Sequence, residues 1–145
     1  MKGKINSDIL KYIIGNTPGS DRLKLMKLTF LIDHYDPIKR KLRKNGQLNL
    51  NFIIYSYGVF SFEVYNALLY LIKNNEVSEN NQRVLSVKNV PKLDNQTRVI
   101  VDKILKEFEG LDGWELASKT LSMINISEMN KKEYIGHPVK SLITS

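Results

Sequence analysis

The histidines, and the carboxylates beside one of them, are the first residues whose types could do chemistry. In Asp33-His34-Tyr35-Asp36, oxygen and nitrogen ligands lie close together, and His137 or another acid brought near them would complete the donor set of a divalent-metal site. No ligand spacing in the chain resembles a known metal motif, and a histidine at a helix end is also favoured simply by the negative end of the helix dipole. The sequence contains no GxGxxG, GxxxxGKS, GxSxG or HExxH, so the dinucleotide, phosphate-loop and hydrolase fingerprints are missing. It has no cysteine, which excludes thiolate metal sites and a disulfide framework and fits a reducing, cytoplasmic setting. The expectation is a chain with no catalytic residues, no bound metal and no cofactor.

A different chemistry is offered by charge. Lys39, Arg40, Lys41, Arg43 and Lys44 enclose Leu42 immediately before the turn signal Asn45-Gly46, and the whole chain carries 22 Lys and Arg against 15 Asp and Glu, a formal charge of +7. Such a run can neutralise phosphates of a nucleic acid, or it can be a solvated surface segment. The third candidate is aromatic: Tyr55-Ser-Tyr-Gly-Val-Phe-Ser-Phe62 gathers two tyrosines and two phenylalanines around Gly58. Exposed, Tyr55 and Tyr57 would stack on bases or on a partner's side chains; buried, they would fill the core and bond through their hydroxyls. Aromatics in strands usually serve packing, so the expected reading is a buried or half-buried structural corner, with Gly58 supplying a backbone angle that a larger residue resists.

These residues need elements to position them. With 145 residues and 42% apolar content, one ordinary core is expected. No stretch approaches the roughly 18 apolar residues of a membrane span. Ile5, Ile9, Tyr12 and Ile13 mark one face of a first helix, which Gly15 to Gly19 ends. Ser20 and Asp21 can cap a second helix to about Asp33, apolar on nearly every side and therefore central. Pro37 either breaks it or opens a short basic helix. Leu48 to Tyr55 should be extended, and Ser61 should cap a third long helix whose stripe is Phe62, Tyr65, Leu68, Leu69 and Ile72. Two short strands around Asn80-Asn81 read as a hairpin, and a helix followed by a hairpin is the order of recognition helix and wing in winged-helix domains. Val101, Ile104, Leu105 and Phe108 define a fourth helix. Asp112 to Glu115 has capping-box spacing and opens a fifth, with Trp114, Ala117, Leu121 and Ile124 as its apolar face. The expected fold is mainly α with a small β component: a helical domain over residues 1–124 with a winged-helix-like hairpin after the third long helix, and a polar, loosely held tail over residues 125–145.

Two of these stretches together resemble a known family. Lys24-Leu-Met-Lys-Leu-Thr-Phe30 is similar to the K-L-x-K-L-x-[YF] signature of the Panacea domain, the SocA-like family of antitoxin-associated proteins. Tyr57-Gly58, followed by Phe60-Ser61, Val64-Tyr65, Leu68, Leu71 and Val77, resembles its second signature, with Val59 where the family usually has proline. The resemblance spans roughly residues 5 to 124. It implies a non-enzymatic module that binds and neutralises a toxin-like protein or hands it to a protease, with Lys24, Lys27, Tyr55 and Tyr57 as the residues to carry partner binding. The alternative is a winged-helix-like DNA-binding regulator, such as mobile elements and viruses carry, with Lys39, Arg40, Lys41, Arg43 and Lys44 on the phosphates.

Overall fold

The computed structural model describes residues 2–144, with side chains described from Ser7 onward; the side chain of Ile5 lies outside them. Among the described residues the chain forms five α-helices and three two-stranded antiparallel ladders. It is mainly α with a small β component.

Helix α1 (Lys2–Asn16) turns Ile9, Leu10, Tyr12, Ile13 and Ile14 inward. After Pro18-Gly19, the Asp21 side chain accepts from the Lys24 backbone N–H and caps α2 (Arg22–His34). This helix has no solvent face beyond its first turn: every residue from Leu25 to His34 is buried, and α1 together with three later helices and one later strand packs around it. Lys27, Thr29, Asp33 and His34 are buried with the apolar residues, so each polar group must find a partner inside the protein. Thr29 returns its hydroxyl to the Leu25 carbonyl.

Asp33 has the largest consequence for the backbone. Its carboxylate accepts from the N–H groups of Leu48 (2.6 Å) and Leu50 (3.2 Å), while its carbonyl accepts from Gln47. The loop thus crosses directly over the acid, and a Cβ on Gly46 would fall on the carboxylate itself. His34 stacks on Phe30, meets the edge of Phe52, and donates Nδ1–H to the Arg43 carbonyl at 2.8 Å. The Asp33–His34 pair therefore ties the end of α2 to the loop that follows. Among the described residues no group of three or more His, Asp or Glu side chains comes together as a metal site would require.

Of the two alternatives at Pro37, no helix opens there, and α2 ends three residues before it, at His34. Strand β1 (Tyr35–Asp36) pairs with β2 (Lys41–Leu42), and Asp36 accepts from the N–H groups of Ile38 and Lys39 to close the turn between them. The extended segment expected over 48–55 narrows to β3 (Ile53–Tyr55), paired with β4 (Gly58–Phe60). Gly58 has φ +103°, so the corner does need glycine's freedom. Ser61 caps α3 (Phe62–Lys73), and its hydroxyl also reaches the Leu50 carbonyl. The β5 (Val77–Glu79) and β6 (Leu85–Val87) hairpin follows. Asp94 caps α4 (Asn95–Phe108), and Asp112 with Glu115 forms a complete capping box on α5 (Gly113–Met123).

The segment expected to be a loose tail packs back on the core. Ile126, Val139 and Ile143 are buried, and two short 3-10 turns (Lys131–Tyr134 and Val139–Ser141) shape it. Residues 136–139 run along the free edge of β3: Ile54 N–H donates to the His137 carbonyl, Gly136 N–H to Ile54, and Val139 N–H to Phe52. The paired stretch is short and bounded by the two 3-10 turns, too brief to show a two-residue alternation, which is why the sequence looks aperiodic there.

Asp33→Asn keeps the side-chain shape but replaces one acceptor by an N–H₂ that faces backbone donors. The expected loss is about 1–3 kcal/mol of unfolding free energy, read by urea denaturation. An unchanged midpoint would show that the loop is held without this carboxylate.

Candidate functional site

A groove of about 680 Å³ opens where the first half of α2, the β3–β4 turn and the first half of α3 meet, with Glu79 and Arg83 of the β5–β6 hairpin and Trp114 of α5 completing its walls. Its volume lies within the range of ligand and peptide sites. Two ring clusters form the sides. Tyr55, Phe60 and Phe62 meet with centroids 4.9–5.7 Å apart, and Tyr57 and Trp114 meet edge to face with centroids 5.5 Å apart. Tyr57, Phe62 and Trp114 are 62%, 52% and 63% exposed, so these rings present their surface to solvent rather than to the core.

Both tyrosines expected to be buried or half-buried are on the surface. The reason lies in the turn: β3 ends at Tyr55, Ser56 and Tyr57 make the bend, and Gly58 and Val59 fill the interior positions instead. Trp114 likewise departs from the expected face of α5, where Leu116, Ala117, Thr120 and Leu121 are buried. On α3 the core stripe is Val64, Leu68 and Leu71; of the expected residues only Leu68 lies on it, while Phe62 and Leu69 are exposed and Tyr65 and Ile72 sit at the margin.

The floor is charged. Lys27 is 2% exposed, yet it lines the groove, and its ammonium donates to the Val59 carbonyl at 2.7 Å. Burial, with a smaller contribution from the like charge of Lys131, pushes its pKa down from the usual 10.5 to about 7. At the rim, Arg22 grips Glu79 in a two-pronged ion pair of 2.7 and 2.8 Å, and this hydrogen bonding holds Glu79 below the usual carboxylate range. Asp21, also in the wall, is committed to capping α2.

The sequence-based site residues therefore divide. Tyr55, Tyr57 and Lys27 come together in the groove. Lys24 does not; it is half-buried and reaches the Glu109 carbonyl, tying α2 to the end of α4. Phe62, Trp114, Arg22 and Arg83 belong to the groove without having been singled out. A signal was available for Phe62: α3 carries a second apolar series, Phe62, Tyr65 and Leu69, beyond the stripe that a single core contact needs.

The basic run is a different surface, on the β1–β2 hairpin. Lys39, Lys41 and Lys44 are exposed. Arg40, with φ +57°, lies 3.5 Å from Glu107, which also accepts from the Tyr35 hydroxyl. Arg43 is half-buried and donates to the Tyr35 carbonyl, so replacing it would disturb the fold as well as the charge. No helix among the described residues is long and apolar enough to cross a membrane.

No family model, no curated protein and no solved structure matches this chain.

The Lys27 environment has a direct consequence for stability. An unfolded lysine keeps its proton to about pH 10.5, whereas the folded one releases it near 7. Between those values the unfolded state holds more protons, so stability rises with pH. From pH 7 to pH 9 the wild type should gain about 2 kcal/mol relative to Lys27→Met in urea unfolding. Parallel pH curves for the two proteins would show that the ammonium is not desolvated.

Proposed function

We propose that this chain is a non-enzymatic protein-binding module, antitoxin-like in the manner its likeness to the Panacea family implies, and that the aromatic groove is its docking face. One observation carries the proposal: Tyr57, Phe62 and Trp114, large side chains that are more than half exposed, stand around one concavity with Tyr55 beside them. Contiguous exposed apolar surface of this sort marks interaction sites, and Trp, Tyr and Arg are the side chains that dominate binding energy there. Arg22 and Arg83 border the same concavity.

The natural test is co-expression with the product of the neighbouring gene. Tyr57→Ala combined with Trp114→Ala removes one edge-to-face pair, and the double variant should lose no more than about 1–2 kcal/mol of stability while the complex fails to co-purify. A folded double variant that still co-purifies would overturn the assignment of this face.

A second reading, a winged-helix-like DNA-binding regulator, is favoured by one observation: Lys39, Lys41 and Lys44 project from a hairpin and form no salt bridge within the described residues. The order of α3 and the β5–β6 hairpin is that of recognition helix and wing. Against base reading, α3 offers only Glu63 and Lys73 as charges, and Glu63 accepts from Asn51. If the lysines sit on phosphates, changing all three to serine should flatten the log–log salt dependence of DNA binding by about three, roughly one per contact, with the thermal midpoint unchanged. Equal slopes in a gel-shift titration would remove the hairpin from consideration.

A further inference from the structure

Lys27 poses a problem that the docking reading does not solve. An ammonium carries three N–H donors and is almost never fully buried without a counter-charge. Here it makes one hydrogen bond, to a neutral carbonyl, and no carboxylate lies within ion-pair distance among the described residues. The acids in the groove wall are both engaged elsewhere: Glu79 by the two prongs of Arg22, and Asp21 by the backbone it caps. The nearest electrostatic influence from the C-terminal segment is another cation, Lys131, itself bonded to the Ser56 carbonyl and to Glu128. When protonated, Lys27 is thus a cation beneath an aromatic concavity for which the protein supplies no anion.

We infer that the groove is a binding site for a small carboxylate carrying a flat apolar body, with the carboxylate on the Lys27 ammonium and the body among the rings of Tyr55, Phe62 and Trp114. Each part of that chemistry answers a feature of the site. A carboxylate accepts the unused N–H donors and restores charge balance in a place where water screens poorly. The rings offer both faces and edges to a planar group. The volume, about 680 Å³, accommodates such a molecule with room to spare. The site goes beyond the docking proposal, because a ligand on the floor requires no protein over the rim.

The probes are 2-naphthoate and its neutral counterpart 2-naphthamide, of nearly the same shape, titrated at about pH 6, where Lys27 keeps its proton, by calorimetry and by heteronuclear NMR against the wild type and Lys27→Met. The acid should bind the wild type about tenfold or more tightly than the amide, since a charge-assisted bond is at stake. In Lys27→Met that preference should vanish while amide binding stays as it was. Should the variant fail to fold, intermolecular NOEs from the naphthoate ring to the Lys27 ε-methylene and the Trp114 indole in the wild type serve the same purpose. Equal binding of acid and amide would mark a bare apolar groove of the kind a protein partner covers, and would overturn the carboxylate site. So would absence of binding up to the solubility limit, an acid preference that survives Lys27→Met, or NOEs placing naphthoate elsewhere.

Discussion

The Asp33 carboxylate, wholly removed from solvent and gripped by the backbone N–H groups of Leu48 and Leu50, fixes how the rest of the chain can be arranged. A helix surrounded on all sides cannot leave a polar group unanswered, and here the hydrogen bonds come from main chain, with the His34 ring 3.7 Å away. The loop must therefore pass close over the end of α2, which demands Gly46 and directs the chain into β3. The same requirement applied to Lys27 is met only in part, by the Val59 carbonyl. One buried polar group is thus fully served and shapes the fold; the other is under-served and shapes a surface.

The helices were legible through two local rules, a side-chain cap at the start and an apolar face at helical spacing. Asp21, Ser61, Asp94 and Asp112 all cap through their side chains, and α2, α4 and, among its described side chains, α1 bury apolar residues at the indicated spacing. Gly58 was legible as a bend because its neighbours change period on either side of it. What could not be read was which of two apolar stripes on α3 faces inward, since hydropathy alone does not distinguish Val64-Leu68-Leu71 from Phe62-Tyr65-Leu69. Packing decides it: the branched and compact residues meet α1 and α2, and the aromatic ones are left outside. The expected burial of Tyr55 and Tyr57 failed because the β3–β4 turn places Gly58 and Val59 inward, and that of Trp114 because Leu116 and Ala117 form the inner face of α5. Lys27 was picked out by its place in a motif, but nothing in its type or spacing indicated that it would lie beneath the solvent-facing rings.

The basic run shows how charge counts mislead when read without geometry. Of five cations, Arg43 is structural and Arg40 is shared with Glu107, leaving three lysines as free surface charge. An exposed ion pair such as Arg40–Glu107 contributes little to stability, whereas the half-buried Arg43 reaches the main chain of the element before it. Positions within one continuous run therefore answer to different physical demands.

Residues 136–139 lie on β3 although a large part of the chain separates the two. During folding, the outer edge of that strand is covered only after a long loop has closed, by a segment with little helical or apolar bias of its own to hasten its arrival. Until then Phe52 and Ile54 present unmet backbone donors and acceptors, an open template for any other extended chain. The order of events in folding, rather than the finished structure, is thus where this protein is most exposed to mispairing with copies of itself.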